Sequence, residues 1–150
     1  MELEFHDPRQ ATSRTIAASL ASAFKTLEKL CEDQDISLCI IQQIPETAEM
    51  NPSANLARFL TGRKRVLSDN TRSRRYHQTR QTGIENIFTK LQTGSIRFVN
   101  PADYYFDDNG FTVNYGGGRS YYRDDDHVTR WGANKARKSI FEAFNRLERK

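Results

Sequence analysis

The sequence predicts a three-layer α/β fold in which a sheet is covered by helices. Two kinds of segment lead to this prediction. An amphipathic helical pattern runs from Ser13 to Cys31 and another from Trp131 to Leu147, whereas Ile36 to Ile41 and Ile96 to Val99 are short and apolar, as strands are. Helices that alternate with buried strands are typical of α/β proteins with neighbouring parallel strands. With 150 residues the chain has the size of one domain, so we expect a single domain over residues 1–150.

The first helix and the first strand have the clearest patterns. Apolar residues recur at steps of three and four in the helix, at Ile16, Leu20, Ala23, Phe24, Leu27 and Leu30. The strand from Ile36 to Ile41 is nearly continuous in apolar character, which is typical of a strand buried on both faces of a parallel sheet. Pro45 ends this segment.

The middle of the chain is polar and basic. Asn51-Pro52-Ser53 begins a short helix that we expect to reach Leu60. From Ser68 to Leu91 the pattern predicts one long helix or two short ones, with Gly83 as the weak point. Gly94 then separates this segment from the second strand.

From Pro101 onward, turns alternate with short aromatic segments, and we expect a loop-rich hairpin. The turn residues are Asp107 to Gly110 and Gly116 to Gly118. The terminal helix then places apolar residues on one side, at Trp131, Ala136, Ile140, Phe144 and Leu147.

Composition excludes several classes of protein. No apolar run approaches the roughly 20 residues that cross a bilayer, and the acidic N-terminus, with Glu2, Glu4 and Asp7, does not resemble a signal peptide. The net charge of +4 and the pI of about 9.2 come largely from the segment Arg58 to Arg80. We interpret that segment as a solvated surface or as a contact for an anionic partner, and no nucleic acid is expected.

The two cysteines and two of the three histidines suggest no site. Cys31 and Cys39 match no metal motif and are too few for a disulfide framework, so either free thiols or one disulfide is possible. His6 and His77 have no partner nearby in the sequence, and we expect both at the surface.

The stretch from Asp124 to Ala133, just before the last helix, contains the candidate reactive side chains. The imidazole of His127 can remove a proton from a hydroxyl near neutral pH, because its ordinary pKa is about 6.5. Asp124 stands three residues earlier, so a turn can bring its carboxylate to the ring, where it would fix the tautomer and stabilise the imidazolium. Thr129 suits the N-cap of the helix. The alternative is an acidic surface loop with a solvated histidine.

No metal or cofactor is predicted. The consecutive residues Asp124, Asp125 and Asp126 lack the further spaced oxygen ligands of a calcium loop.

The same stretch resembles the final sequence block of SGNH hydrolases, in which an Asp-x-x-His pair precedes the last helix. It resembles more narrowly the SGNH domains attached to acyltransferase-3 membrane proteins, where Tyr, Asp, His, Leu, Ser and a Gly-Ala pair follow in that order. Here those places are held by Tyr122, Asp124, His127, Val128, Thr129, Gly132 and Ala133. The resemblance extends less specifically over most of the chain, through the strand that ends at Pro45 and the segment from Ile96 to Asp103. Many relatives have a cysteine pair ahead of the block, which this chain lacks.

This resemblance implies an SGNH- or flavodoxin-like sheet and a catalytic pair, with His127 as general base and Asp124 as its orienting carboxylate. Thr129 and Gly132 would support that site. The family's nucleophilic serine lies in a Gly-Asp-Ser segment, which does not occur here, and no glycine precedes Gly62. We therefore expect the C-terminal part of an SGNH-like domain, incomplete at its N-terminus and inactive by itself. A degenerate, non-catalytic descendant is the alternative.

By the same resemblance, the complete domain would act on the O-acyl groups of cell-envelope polysaccharides, as an O-acetyltransferase or an esterase. Its partners would be a carbohydrate acceptor, an acyl donor and an acyltransferase-3 membrane domain, on the periplasmic side of the inner membrane. The alternative function is a non-catalytic binding domain that contacts an anionic surface or glycan through Arg63 to Arg80 and stacks sugars on its aromatic loops.

Overall fold

The structure is a computed structural model that describes residues 13–90 and 96–147. The helices are α1 (Ser13–Asp33), α2 (Pro52–Leu60), α3 (Arg74–Lys90) and α4 (Arg130–Leu147), with a 3-10 helix over Ala102–Tyr105. The strands are β1 (Leu38–Ile41), β2 (Ile96–Val99), β3 (Tyr115–Gly116) and β4 (Arg119–Ser120). This mixture of helices and strands confirms the predicted α/β class.

The strands form two sheets of two strands each, β1 with β2 and β3 with β4. The backbone N–H of Gln42, just beyond β1, donates to Val99 O at 2.8 Å. β1 begins at Leu38 rather than at Ile36, and its side chains are half-buried or exposed instead of buried on both faces. In the described part of the chain β1 has only β2 as a neighbour, so its apolar residues are less covered than those of a central strand.

α3 is a single helix that starts later than the pattern predicted. The residues before Arg74 bond to another segment instead: Thr112 N donates to Arg72 O at 2.9 Å, and Arg72 N donates to Thr112 Oγ1 at 3.0 Å. Gly83 does not interrupt the helix.

The chain divides into two compact units. The first comprises Met1–Leu38 and Thr82–Arg97. Within it, the rings of Phe24 and Phe88 meet edge to face with centroids 5.3 Å apart.

The second unit comprises Cys39–Gln81 and Phe98–Lys150. Its core consists of Tyr105, Tyr122 and Ala136, against which Ile44, Tyr121, Val128 and Ile140 pack. Both buried phenols are hydrogen-bonded, as buried polar groups require: Tyr105 donates to Gly132 O at 3.0 Å and Tyr122 to Pro45 O at 2.8 Å. Burial raises the pKa of Tyr105 to about 12.

The predicted hairpin joins β3 to β4. Tyr115 pairs with Ser120 and Gly116 with Arg119 in antiparallel register. Gly117 and Gly118 turn the chain with φ angles of 57° and 70°, a conformation that a side chain would strain.

One prediction about the histidines is wrong. His77 is buried, with 6% of its surface exposed, and its ring centroid lies 6.1 Å from that of Phe106. The helical pattern of α3 did not reveal the segment that covers this residue. His6 lies outside the described residues.

Cys31 is buried and Cys39 half-buried, and they are not joined in a disulfide. None of the described helices combines the length and the apolar character needed to cross a membrane.

Candidate functional site

The site lies on a short loop that the backbone closes at both ends. Arg123 N donates to His127 O at 2.8 Å, and Thr129 N donates to Tyr121 O at 2.9 Å. Tyr122, fully buried, anchors one side of this closure. Between these bonds the chain projects Asp124 to His127 outward from the core.

One carboxylate oxygen of Asp124 accepts two hydrogen bonds from His127. Asp124 Oδ1 lies 2.9 Å from His127 Nδ1 and accepts the backbone N–H of His127 at 2.8 Å. The backbone bond fixes the turn, and the turn brings the ring to the carboxylate. Nδ1 is thereby engaged, whereas Nε2 has no hydrogen-bond partner in residues 13–90 and 96–147. The His127 side chain is 61% exposed, so the ring is open to solvent.

The electrostatics favour the ionised pair. Partial burial opposes ionisation of Asp124, but the hydrogen bonds that it accepts from the backbone and ring of His127, from Asp126 N and from Arg123 hold its pKa well below the ordinary value. The hydrogen bond and charge of Asp124, together with the charge of Asp126, raise the pKa of His127 above 6.5. A raised histidine pKa is expected wherever a carboxylate stabilises the imidazolium.

Sequence reasoning missed a second carboxylate at the ring. The spacing of the sequence block gave Asp126 no role at the ring, but its Oδ1 lies 2.7 Å from His127 Nδ1. The turn explains this position, since Asp126 N also points to Asp124 Oδ1, at 3.4 Å. The adjacent side chain of Arg123 approaches the other oxygen of Asp124, with Nε at 3.3 Å from Oδ2.

Thr129 and Gly132 hold the loop onto the last helix. Thr129 Oγ1 accepts the N–H of Gly132 at 3.2 Å and donates to Ser120 O at 2.7 Å. Thr129 thus caps α4 and ties its start to β4. Gly132 is buried; a Cβ at this position would collide with the backbone oxygen of Tyr121 and lie 2.9 Å from Val128 Cβ.

The segment after β1 supports the loop from the other side. Thr47 N donates to Asp125 O at 2.8 Å, and Pro45 O accepts from the Tyr122 hydroxyl. Ser53 Oγ, on α2, donates to Tyr122 O at 2.7 Å. These contacts join residues distant in sequence, so their pairing could not be predicted from spacing.

No serine hydroxyl within residues 13–90 and 96–147 bonds to His127. Ser120 is buried, and its hydroxyl donates to Tyr122 O at 2.6 Å. Ser95 lies outside the described residues.

The same loop offers three groups that could ligate a cation. One ligand atom each from Asp124, Asp126 and His127 lies within 4.8 Å of the others. The histidine atom near the carboxylates is Nδ1, which already hydrogen-bonds to them.

Much of the basic segment is used within the fold. Arg80 pairs with Glu46 at 3.0 Å, and Arg74 pairs with Asp103 while its guanidinium lies 4.5 Å from the Phe106 ring centre. Arg72 lies over the ring of Tyr76 at 4.5 Å. These contacts account for part of the positive charge without an external partner.

Comparison with known proteins gives one match. The family model described as SGNH domain, fused to AT3 domains, matches residues 2–141. No curated protein and no solved structure matches significantly.

Proposed function

The chain belongs to the family of SGNH domains fused to AT3 domains, and from that membership we propose that it supplies the histidine–aspartate part of a carbohydrate acyl-transfer site. The observation that carries this proposal is the arrangement of His127, whose Nδ1 is held 2.9 Å from Asp124 Oδ1 while Nε2 remains without a partner among the described residues. A general base needs both a fixed ring and an accessible nitrogen.

In the proposed reaction, Nε2 of His127 removes the proton of a seryl hydroxyl as that oxygen attacks the acyl carbonyl. The tetrahedral adduct collapses to an acyl-serine, and the proton passes from Nε2 to the leaving oxygen of the donor. A carbohydrate hydroxyl, or water in the esterase reaction, then attacks the acyl-serine and gives its proton to Nε2. The second tetrahedral adduct collapses by breaking the bond between the acyl carbon and the serine oxygen, which takes the proton back from Nε2 as the acylated product leaves. Asp124 stays ionised throughout and stabilises the imidazolium formed in each half-reaction.

The serine in this proposal is not one of the serines of the chain. The family's Gly-Asp-Ser segment does not occur in the 150 residues, and a positioned base acts only on a nucleophile that is present. The chain therefore acts as the C-terminal part of a complete SGNH domain. Membership in an AT3-fused family supports a membrane acyltransferase partner, an acyl donor delivered by it, a cell-envelope polysaccharide as acceptor, and a periplasmic location.

Hydrolysis of p-nitrophenyl acetate tests the proposal in three proteins: this chain, a fusion with the N-terminal Gly-Asp-Ser part of a complete family member, and that fusion with His127→Ala. We expect activity in the second protein only. Activity of the isolated chain would contradict the proposal, as would equal activity of the two fusions. Circular dichroism of both fusions controls for folding.

A second candidate, a binding module for anionic glycans, is favoured by Arg63, Arg65 and Arg75. These side chains are exposed and have no acidic partner in the described part of the chain. Retention on immobilised dextran sulfate, compared between the wild-type chain and R63Q/R65Q/R75Q, tests this function independently of catalysis. Equal elution of the two proteins would exclude it.

A further inference from the structure

A concave feature lies beside the start of α4, within the second unit. It has a volume of about 300 Å³ and is formed by α2, the β3–β4 hairpin and the first turn of α4. Its aliphatic side is contributed by Leu56, Ala57 and Leu60. Arg119 and Trp131 also line this feature, which we name the Trp131 groove. Its volume is at the lower end of those that bind small molecules.

Two guanidinium groups converge on the indole of this groove. The Arg119 Cζ lies 3.4 Å from the Trp131 ring centre, and the Arg130 Cζ lies 4.7 Å from the same centre. The ring attracts each cation, but the two cations repel each other. An anion between or beside them would remove that repulsion.

Neither arginine is neutralised within the described part of the chain. Arg119 and Arg130 form no ion pair with any carboxylate of residues 13–90 and 96–147, in contrast to Arg74 and Arg80. Stacking uses the flat face of a guanidinium and leaves the N–H donors at its edge available. Such an edge binds phosphate or carboxylate with two parallel hydrogen bonds.

The groove therefore combines an aliphatic surface with unpaired positive charge at one side. Leu60 is 63% exposed although it faces this concavity, and an apolar chain placed there would cover it. A free inorganic anion would match only the positive charge, and an uncharged polar sugar would match neither feature.

We propose that the Trp131 groove binds a single-chain anionic amphiphile, that is, an alkyl or acyl chain that carries a phosphate or carboxylate group. The alkyl or acyl chain of the ligand lies along Leu56 and Leu60, and its anionic group bonds to the guanidinium edge of Arg119, which lines the groove. Arg130, over the same indole ring, adds positive charge next to this site. This inference does not depend on the proposed acyl transfer, because binding requires neither His127 nor a nucleophile.

Trp131 is the only tryptophan of the protein, so its fluorescence reports on this groove directly. The probe is hexyl phosphate, titrated into the full chain below its micelle concentration, with hexyl glucoside and inorganic phosphate as comparisons. We expect a saturable change in emission with hexyl phosphate alone. Equal binding of either comparison compound would overturn the proposal, since one lacks the charge and the other lacks the chain.

Two variants identify the contacts. Arg119→Gln should weaken binding of hexyl phosphate about tenfold or more, because a bidentate charged contact is lost. Its matched control is Arg137→Gln, which removes an arginine of α4 that lies over Phe141 instead. Leu60→Asn should weaken binding, because it removes an apolar contact of the ligand's alkyl chain. Phe59→Asn, on the same helix but not part of the groove, should leave binding unchanged. If the two variants of either pair bind hexyl phosphate with equal affinity, the proposed site is contradicted.

A membrane surface could present the same chemistry, and a further titration separates the two sources. Vesicles of phosphatidylcholine with phosphatidylglycerol are added to the chain in place of hexyl phosphate. A groove of this volume accepts one short chain, so we expect no change in Trp131 emission from vesicles. A vesicle response that Arg119→Gln abolishes, without a response to hexyl phosphate, would replace the small ligand by a membrane.

Discussion

One oxygen of Asp124 accepts both the ring Nδ1–H and the backbone N–H of His127, at 2.9 and 2.8 Å. The backbone bond is local and forms with the turn, so the imidazole is oriented before any substrate arrives. The proposed chemistry depends on this relationship, because it fixes the ring whose Nε2 acts as the base.

Replacing Asp124 by Asn should lower the pKa of His127 towards 6.5, because the charge that stabilises the imidazolium is removed. NMR titration of the His127 ring in the isolated chain measures this pKa. In the active fusion, the same change should reduce kcat by about 10³- to 10⁴-fold, since an amide favours the wrong tautomer.

Asp126→Asn is the matched control for this prediction. Its carboxylate also reaches Nδ1, at 2.7 Å, but it does not accept the backbone N–H of His127. We expect a smaller decrease of the pKa and of kcat than in Asp124→Asn. A larger effect of Asp126→Asn would assign the orienting role to Asp126.

The Asp124–His127 pair should stabilise the fold within a defined pH window. Because the pKa of His127 is raised in the folded protein, its interaction with the carboxylate stabilises the fold fully below pH 6.5. This stabilisation is lost as the pH rises through the pKa of His127 in the folded protein. Because the pKa of Asp124 is lowered in the folded protein, the ionised carboxylate stabilises the fold fully above pH 3.8. This stabilisation is lost as the pH falls towards the pKa of Asp124 in the folded protein. The difference in unfolding free energy between the wild type and His127→Gln, measured with urea, should therefore be largest between pH 3.8 and 6.5. A difference that increases above neutral pH would contradict this sign.

Thr129→Ala should lower the free energy of unfolding by about 1 kcal/mol or more, because the cap of α4 and the bond to Ser120 O are both lost. Thr129→Ser retains the hydroxyl and should remain close to the wild type. Urea unfolding of the three proteins measures the effect. Equal loss in both variants would attribute it to the methyl group rather than to the hydrogen bonds.

Two glycine-to-alanine substitutions should change the stability of the fold in opposite directions. Gly83→Ala should stabilise the chain by about 0.5–1 kcal/mol, because a Cβ there meets nothing within 4 Å and alanine favours the helix. Gly132→Ala should destabilise it, because the new Cβ collides with the backbone of Tyr121 at the base of the site. Thermal unfolding of both variants checks the signs, and stabilisation by Gly132→Ala would show that the loop can move away from α4.

Metal removal should leave the activity of the fusion unchanged. In the proposed reaction Nδ1 bonds to Asp124, so a cation held by Asp124, Asp126 and His127 would compete with that bond. Dialysis against EDTA followed by the p-nitrophenyl acetate assay measures the effect. A loss of activity restored by one divalent metal would replace the dyad mechanism by a metal-assisted one.

The sequence by itself determined the elements whose periodicity is local, and the spacing of the reactive pair. The apolar pattern of α1, the limits of β2 at Ile96 and Val99, and the start of α4 next to Thr129 follow from neighbouring residues. Asp124 and His127 are also three residues apart, so one turn suffices to join them.

Only the tertiary structure decided which surfaces are covered and which distant groups meet. His77 is polar and lies on a polar helix, yet the segment that contains Phe106 buries it. The contact of Thr47 with Asp125, and the convergence of Arg119 with Arg130 on Trp131, join groups through packing that no sequence period records. The physical reason is that periodicity reports the burial of one face of an element, whereas the partner of that face depends on how the whole chain folds.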